Sequence, residues 1–490
     1  MSHARSIVII CTDQQRYDSL GCTGNPHALS QNIDALSRES SVFHRHITTS
    51  PVCMPSRASF FTGRYPNGHG VWLNGVELPR RREVEDANCS SHVPTLADVF
   101  LAAGYHTRSV GKLHFSPYLS PARLDGRESL SRSAAEMESW RGPYYGFEHV
   151  SLTLGHGEFH RAGHYRTWLR RNFPEIDKRL DNMALSGTFP EARDVHPGII
   201  PAEAHHSTWI GTEACEFLAS KDAAERPFLL YVSFPDPHHP YTPPPELARE
   251  FEQRDVMPWH RGSGLEDRPS AWRTRVASSV LDDACLRRVR QYTDAMIHLI
   301  DRNVGRILAT LKEQGLYEDT TIVYTSDHGD FLGDFGLLRK NFVACNALNH
   351  VPFILRAPGQ DLPAQTRVPM SNADVLPTLC DLHDVPLPAG VQGRSILPAL
   401  RGESAHAVPV FAYHSDPQFH NFTLYDERYR FTLYPGTGER ELYDHTDDPH
   451  ELRNRANDPV LKAVESRMRE ELLELHLRSD TPSGGRVCDW

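Results

Sequence analysis

Short apolar segments of strand length alternate with helical patterns along most of this 490-residue chain, and this alternation limits its fold more than any other feature. One helical pattern covers residues 94–104 and ends at a glycine; another runs from Leu286 to Gly315, with apolar residues three and four positions apart. Such alternation predicts an α/β fold, a mostly parallel sheet between two layers of helices. The segments predicted as strands are Ile7–Thr12, Tyr105–Val110, Pro227–Phe234, Thr320–Ser326, Pro352–Ala357 and Val408–Tyr413.

The pattern changes near residue 386, which predicts a large domain over residues 1–385 and a smaller C-terminal α+β subdomain over 386–490. The second part contains short alternating segments and then a helical pattern from about Val460 to Leu477. Within the large domain, residues 116–200 lack clean periodicity and are rich in Arg, His, Gly and aromatic residues. We expect this stretch to form inserted loops near the functional site.

Composition excludes several classes of function. The net charge of −11 argues against binding to nucleic acid or to an anionic membrane. No segment approaches the roughly 20 apolar residues of a transmembrane helix. The nine cysteines are an odd number, spread widely and without a Cys-x-x-Cys pair, so we expect reduced thiols in a cytoplasmic protein. The apolar run after the first residues is predicted to be a buried strand rather than a signal peptide. The composition is compatible with a homo-oligomer.

Polar residues follow two of the predicted strands. Asp13-Gln14 comes directly after the first strand, and Asp327-His328-Gly329 comes directly after the strand at Thr320–Ser326. In sheets of this kind, ligands bind beyond the carboxyl ends of the strands. The sequence therefore predicts that these two clusters form one site, although they are far apart along the chain.

Cys53-Met54-Pro55-Ser56-Arg57 lies between these two clusters. A cysteine with Pro at +2 and Arg at +4 resembles the signature of type I sulfatases. The other blocks that match, in the expected order, are Asp13-Gln14, Gly111-Lys112-Leu113-His114, Pro237-His238-His239-Pro240-Tyr241, and Ser326-Asp327-His328-Gly329-Asp330 with Lys340. The chain thus resembles the sulfatases of the alkaline-phosphatase superfamily over most of its length. This resemblance implies an alkaline-phosphatase-like fold and a hydrolase that acts on sulfate esters.

In that family a maturation enzyme converts the cysteine to formylglycine, an aldehyde. The resemblance implies that the hydrated aldehyde at position 53 attacks the sulfur of the ester with help from a divalent metal. The aldehyde then re-forms as sulfate leaves, an exit route that a simple Ser or Cys nucleophile lacks. The cations Arg57, Lys112 and Lys340 would stabilise negative charge on the transferred group.

The family match also implies roles for three further side chains. His114 would be the base that acts on the hydrated aldehyde. His238 would be the acid at the leaving oxygen, with Lys340 beside it. Asn74 is a candidate for a substrate-binding amide.

The implied metal ligands are Asp13, Gln14, Asp327 and His328. Many sulfatases present Asp-Asp and Asp-Asn at these places and bind calcium. The imidazole here favours manganese or another transition ion, so the expected cofactor is Ca²⁺ or Mn²⁺. The Asp-Gln and Asp-His pairs are similar to those of phosphonate monoester hydrolases and, in part, of choline sulfatases, whereas Gly111-Lys112-Leu113-His114 is sulfatase-like.

Three hypotheses follow. The first is an arylsulfatase-like enzyme whose partner is a small sulfated ester of an aromatic or organic alcohol. The second is a phosphonate monoester or phosphodiester hydrolase with the same machinery, because Gln14 and His328 depart from the common sulfatase pattern. The third is a catalytically silent binding protein in which Cys53 is never modified; the complete set of catalytic blocks argues against it.

Overall fold

The computed structural model describes residues 6–79, 93–120, 126–160, 162–182, 194–262, 265, 268–273, 282–340, 342–403, 408–415 and 420–480. The strands are β1 (Ser6–Thr12), β2 (Ser41–Phe43), β3 (His46–Ile47), β4 (His106–Gly111), β5 (His149–Leu154), β6 (Phe228–Ser233), β7 (Thr320–Ser326), β8 (Phe353–Arg356), β9 (Gln365–Thr366), β10 (Met370–Ser371), β11 (Val410–Ser415), β12 (His420–Tyr425), β13 (Tyr429–Leu433) and β14 (Arg440–Asp444). The helices are α1 (Gln31–Ser37), α2 (Cys53–Thr62), α3 (Pro66–His69), α4 (Leu96–Ala102), α5 (Ala134–Ser139), α6 (Gly163–Asn172), α7 (Pro174–Asp181), α8 (His206–Leu218), α9 (Lys221–Glu225), α10 (Pro245–Phe251), α11 (Ser270–Arg273), α12 (Asp283–Glu313), α13 (Asn346–Asn349), α14 (Val375–Leu382), α15 (Leu397–Leu400) and α16 (Lys462–Ser479).

The large sheet has the strand order β5-β4-β6-β1-β7-β8-β2-β9. Strand β1 lies in its middle and pairs in parallel with β6 and β7. Strand β4 also pairs in parallel, with β5 and β6, whereas β8 is antiparallel to both β7 and β2. The predicted mostly parallel α/β sheet is therefore confirmed.

Both faces of the sheet are buried under helices, which explains why β1 is apolar at nearly every position. Ile7 and Ile9 pack on one face, in a core shared with Phe61 of α2. Val8 and Ile10 pack on the other face, against the apolar side of the long helix α12. Because both faces are buried, the sheet is rigid and holds the residues at its carboxyl edge in fixed positions.

Two of the predicted strands lie outside the parallel part of the large sheet. The strand predicted at Pro352–Ala357 is β8, which is antiparallel, and the strand predicted at Val408–Tyr413 is β11, which belongs to a second sheet within residues 386–490. One prediction differs from the structure. Residues 116–200, expected to be inserted loops, contain β5 of the large sheet and helices α5 to α7; residues 121–125, 161 and 183–193 of this stretch lie outside the described residues.

The second sheet is antiparallel, with the order β11-β12-β13-β14, and α16 packs against it. Its core includes Phe411, Leu424 and Met468. Ile396 and Leu397 lie beyond the predicted boundary at residue 385 but pack in the core of the large domain. The exact boundary stays a prediction. In the part of the chain that the structure describes, no helix combines the length and apolar character needed to cross a membrane.

Candidate active site

The two polar clusters that follow β1 and β7 lie side by side. Thr12 and Ser326, the last residues of these strands, are direct partners in the parallel register. The residues that follow them, Asp13 and Asp327, therefore leave the sheet next to each other, and the backbone N–H of Gln14 donates to Asp327 Oδ1 at 3.1 Å. The strand ends thus bring together residues more than 300 positions apart in the sequence.

Helix α2 carries the pentapeptide Cys53-Met54-Pro55-Ser56-Arg57 at this edge of the sheet. Cys53 is its first residue, and Arg57 lies one turn later on the same face. The buried Arg57 donates from Nε to Asp327 Oδ2 at 2.8 Å and has Nη2 3.4 Å from Asp13 Oδ2. These contacts fix the start of the helix, whose free N–H groups favour negative charge, against both strand ends.

Asn74 has a different place from the rest of the predicted site. Its Oδ1 accepts the backbone N–H of Met54 at 3.0 Å, so it caps the first turn of α2. The residue is largely exposed. Its predicted substrate-binding role stays a prediction, and the contact seen here orients the helix that carries Cys53.

Cationic and acidic side chains surround Cys53 Sγ. Lys340 Nζ lies 2.9 Å from Sγ, His328 Nε2 lies 3.1 Å from it, and Asp13 Oδ1 lies 3.8 Å from it. Burial and Asp13 act to raise the pKa of the Cys53 thiol, but Lys112 and Lys340 outweigh them and lower it to about 7. The position of Cys53 therefore stabilises negative charge at the end of its side chain.

The side chains of Asp13, Asp327, His328 and Cys53 each offer a ligand atom, and these atoms lie within 4.8 Å of one another. His328 Nδ1 is 2.9 Å from the carbonyl oxygen of Gly329, so Nδ1–H donates there and the Nε2 lone pair faces the cluster. Although burial favours the neutral acid, the adjacent Lys112 holds the pKa of Asp13 well below its usual value. Two carboxylates and an imidazole are a donor set that fits a divalent metal.

Gln14 also fits this metal group. Its backbone has φ = 68°, a left-handed conformation that is unusual outside glycine. Its Nε2 donates to the buried Asp330, which also accepts from Tyr241 Oη at 2.7 Å. This bond turns Gln14 Oε1 toward the site, where it lies 3.4 Å from Lys340 Nζ. An oxygen atom is thus available where the resemblance implies a metal ligand.

His238 and Lys340 form a pair on one side of Cys53. His238 Nδ1 lies 2.6 Å from the carbonyl oxygen of His239, so Nδ1 carries the proton and Nε2 accepts from Lys340 Nζ at 2.9 Å. Burial, together with the neighbouring His156 and Lys340, holds the pKa of His238 well below its usual value. The proton of this pair therefore resides on Lys340. His239 instead contacts Gln14, with its Nδ1 3.2 Å from Gln14 Nε2.

His114 lies in the turn after β4, two residues beyond Lys112. Its backbone is left-handed, with φ = 61°, and its N–H donates to the buried Glu128. Its ring stacks on Tyr118 with 4.2 Å between centroids. Burial and Lys112 hold the pKa of His114 well below its usual value, so the ring is neutral and able to accept a proton. Lys112 itself forms a buried ion pair with Asp13.

His156 belongs to this site, although sequence reasoning missed it. Its Nε2 lies 2.8 Å from Lys112 Nζ and 3.7 Å from Asp13 Oδ2, and its ring stacks on His238 at 3.8 Å. It follows β5 by two residues. The signal that could have revealed it is the apolar run of β5, because a polar residue after a strand of this sheet is a candidate for the site.

Comparisons with known proteins identify the family. The model of the family described as "Sulfatase" matches residues 5–385, and that described as "N-sulphoglucosamine sulphohydrolase, C-terminal" matches residues 333–478. An arylsulfatase of Clostridium perfringens is 27% identical over 96% of this chain and 94% of its own length. The uncharacterized sulfatase YidJ of Escherichia coli is 28% identical over 96% of this chain and 86% of its own length.

A solved structure gives the same result for the fold. The phosphonate monoester hydrolase of Agrobacterium radiobacter superimposes with a TM-score of 0.77 at 25% identity, covering 97% of this chain and 96% of that one. The family model covers well over half of the present sequence. The chain therefore belongs to the sulfatase family, with the fold of the alkaline-phosphatase superfamily.

Proposed function

We propose that this protein is a formylglycine-dependent sulfatase that hydrolyses a small sulfate ester, with Cys53 as the residue that becomes formylglycine. The observation that carries the proposal is the set of contacts at Cys53 Sγ, where the ammonium of Lys340 and the imidazole of His328 lie within about 3 Å. A buried side-chain end beside cations is suited to attack on an anionic ester, since the cations stabilise the charge of the transferred group. A formylglycine-generating maturation enzyme is the required protein partner.

Formylglycine supplies a hydrated aldehyde whose hydroxyl attacks the ester and whose second hydroxyl lets the aldehyde re-form. The residues of this chain position and charge that step. Arg57, held by Asp327 and Asp13, orients the start of α2, and Lys112 and Lys340 flank Cys53. Together they stabilise the negative charge that develops in the transition state more than the charge of the bound ester.

Proton transfers are assigned to two groups. Lys340, which donates to His238 Nε2 at 2.9 Å, delivers a proton to the leaving oxygen, with His238 as its immediate partner. The neutral His114, fixed by Glu128 and by its stacking on Tyr118, accepts a proton on the other side. The proposed acid and base thus follow different strands of the sheet, β7 and β4.

A divalent metal would be held by Asp13, Gln14, Asp327 and His328, which offer oxygen and nitrogen donors in one cluster. When bound, it supplies a positive charge that favours ionised oxygen at the reacting centre. The mixed donor set favours Mn²⁺, and Ca²⁺ is the second candidate.

A second candidate function is phosphonate monoester or phosphodiester hydrolysis. Gln14 and His328 favour it, and the fold neighbour with a TM-score of 0.77 is a phosphonate monoester hydrolase. Lys112 and His114 favour the sulfatase, because they form the sulfatase-like Gly-Lys-x-His element. Comparing kcat/KM for 4-nitrophenyl sulfate and 4-nitrophenyl phenylphosphonate decides between the two; faster phosphonate turnover would reject the leading proposal.

Mass spectrometry of the peptide that contains Cys53 tests the modified nucleophile. In protein co-expressed with a maturation enzyme, we expect the aldehyde mass, and we expect Cys53→Ala to lose sulfatase activity. Cys215→Ala is the matched control, because this half-buried thiol lies on α8, where alanine is well tolerated. An unmodified thiol at position 53 in active protein would overturn the mechanism.

A cytoplasmic location is part of the same proposal. Six cysteines within the described residues are free thiols, as expected in a reducing compartment: Cys11, Cys22, Cys53, Cys215, Cys345 and Cys380. Cys89 and Cys488 lie outside the described residues. Labelling of intact cells with a membrane-impermeant reagent, followed by detection of the protein, tests it. We expect no labelling before lysis.

A further inference from the structure

A cavity of about 300 Å³, separate from the side chains around Cys53, lies between the large domain and the C-terminal subdomain. Its walls come from residues 16–18, from 44–45 after β2, from the region around α13, and from the turn after β14. Residues 16–18 follow Gln14 closely, so the cavity lies at the same edge of the sheet as the candidate active site. Cys53 and the side chains that contact its Sγ do not line it.

Three arginines and three carboxylates line this cavity, but they are not all paired with one another. Each carboxylate that lines it already has a cationic partner: Asp18 has Arg16, Asp334 has Arg16 and Arg290, and Glu451 has Arg430. Two lining arginines, Arg45 and Arg367, have no carboxylate partner among the described residues. Two guanidinium groups at the cavity are therefore not bound by a carboxylate of the described protein.

Arg45 carries most of this argument, because only 2% of its surface is exposed. Its Nε donates to the carbonyl oxygen of Asp426 at 2.8 Å, and its Nη2 donates to that of Tyr429 at 3.4 Å. Neither partner is charged, and burial lowers the pKa of this guanidinium to about 10. A buried charge without a counterion is costly, so an anion in the cavity would relieve a penalty already present in the fold.

Two imidazoles on the cavity wall also have unused polar atoms. His350 Nε2 and His445 Nδ1 are buried and have no hydrogen-bond partner within the described residues. The other ring nitrogen of His445 is already bonded to Glu451, at 2.8 Å. Buried polar atoms are nearly always paired, so these two atoms indicate a missing polar partner in the cavity.

We propose that this cavity is a second ligand site, which binds a small molecule through an oxyanion group placed between Arg45 and Arg367. Guanidinium groups present a fork of donors that matches the oxygens of sulfate, phosphate or carboxylate. The volume is at the lower end of the range of small-molecule sites, about 300–1,000 Å³, and exceeds what a bare oxyanion fills. The remaining space and the two imidazoles suit a polar body such as a sugar.

Equilibrium dialysis tests the site in a Cys53→Ala background, which prevents turnover, with inorganic sulfate and glucose 6-sulfate as separate probes. The proteins compared carry no further change, Arg45→Gln, Arg367→Gln or Arg38→Gln. Arg38 is an exposed arginine far from the cavity lining and is the matched control. We expect one ligand fewer per chain, or binding at least tenfold weaker, in the Arg45 and Arg367 variants only.

Arg367→Gln keeps the test decisive if Arg45→Gln fails to fold, because Arg367 is exposed. Selective loss of either probe supports the proposal, and the probe that binds more tightly tells whether the natural ligand is a free oxyanion or an organic ester. The same number of bound ligands, with the same affinity, in all four proteins would overturn it. Binding at the candidate active site is common to all four and cancels in the comparison.

Discussion

At the scale of single residues, Lys340, the proposed acid, lies between the proposed nucleophile and His238. Its Nζ lies 2.9 Å from both Cys53 Sγ and His238 Nε2, and 3.0 Å from His328 Nε2. A single ammonium can therefore stabilise the transferred group and supply the proton of the leaving alcohol. The neutral state of His238 makes this double role necessary, since that imidazole has no spare proton on Nε2.

Lys340→Ala is expected to lower kcat/KM by about 10²–10⁴-fold, the usual range for loss of a general acid. The loss should be larger for a sulfate ester with a poor leaving group, because such an alcohol needs the proton more. Steady-state kinetics with a nitrophenyl sulfate and an unactivated phenyl sulfate measure this difference. Lys462→Ala, an exposed lysine of α16, is the control. Equal losses for both esters would contradict the assignment of the acid.

His156 is expected to support Lys112, since their nitrogen atoms lie 2.8 Å apart. His156→Ala should lower kcat/KM by about 10–100-fold, the range for loss of a residue behind a metal ligand, because His156 Nε2 also lies 3.7 Å from Oδ2 of the implied ligand Asp13. Aryl sulfate kinetics and the thermal unfolding midpoint, both measured on this variant, separate a loss of activity from a loss of stability. His27→Ala, in the loop before α1, is the control and should keep full activity. Full activity of His156→Ala would show that the contact is only structural.

At the scale of elements, the site depends on the ends of five parallel strands, including β5 with His156 two residues beyond it, and on the start of one helix. Strands β1 and β7 place Asp13 and Asp327, β4 places Lys112, and β6 leads into the loop with His238. The turns after these strands are held by buried carboxylates. Glu128 accepts from the backbone N–H groups of residues 114, 115 and 116.

The cluster of ligand atoms at the ends of β1 and β7 predicts how metal binding responds to a substitution. Asp327→Ala should remove the bound divalent ion and the activity together, because it deletes a carboxylate shared by the metal group and Arg57. Elemental analysis of the purified protein measures the ion without reference to activity. Asp361→Ala, at an exposed position, is the control. A variant that keeps both metal and activity would show that the site is misplaced.

Glu128 holds the turn after β4, so we expect its substitution to affect activity through His114. Glu128→Gln should lower the free energy of unfolding by about 1–3 kcal/mol, because N–H groups that donated to a carboxylate would face an amide. It should also lower kcat/KM, since His114 loses its anchor. Denaturant unfolding and aryl sulfate kinetics measure the two effects. Glu138→Gln, an exposed position on the nearby α5, should change stability by less than about 0.5 kcal/mol.

At the scale of the whole molecule, Glu451 joins the two parts of the protein. This buried carboxylate bonds Arg430 Nε at 2.7 Å and His445 Nε2 at 2.8 Å in the subdomain, and it accepts from Asn346 N of the large domain at 3.0 Å. Burial acts to raise the pKa of Glu451, but Arg430 and His445 lower it to about 2. Its folded pKa is therefore below the ordinary value of 4.5.

This shift fixes the sign of an effect of pH on stability. A carboxylate with a depressed pKa stabilises the fold above pH 4.5, and that contribution is lost as the pH falls from 4.5 toward 2. Glu451→Gln should lower stability at pH 7 by about 3–5 kcal/mol, as expected when one partner of a buried ion pair is removed. It should also flatten the acid side of the profile. Thermal unfolding between pH 7 and pH 2 tests this, with the exposed Glu427→Gln as control; a profile that keeps the slope of the parent would contradict it.

Much of the fold and part of the candidate site were predictable from sequence. Short, nearly continuous apolar runs predicted β1, β6 and β7. Because ligands bind beyond the carboxyl ends of such strands, the sequence also predicted that Asp13 and Asp327 lie in one site. Strand β2 was missed because it is short, and the edge strand β5 was missed because it lies in a stretch without clear periodicity. His156 was missed with β5, since a residue after an unrecognised strand carries no signal.

The sequence by itself determined the family, the mostly parallel sheet and the identity of the residue expected to be modified. These are local properties, because they depend on the pentapeptide at Cys53 and on the spacing of apolar residues along the chain. Only the tertiary structure decided that Lys340 contacts Cys53, that His156 stacks on His238, and that Asn74 caps α2. Such contacts depend on loop paths and side-chain directions across distant strands, which local patterns do not encode.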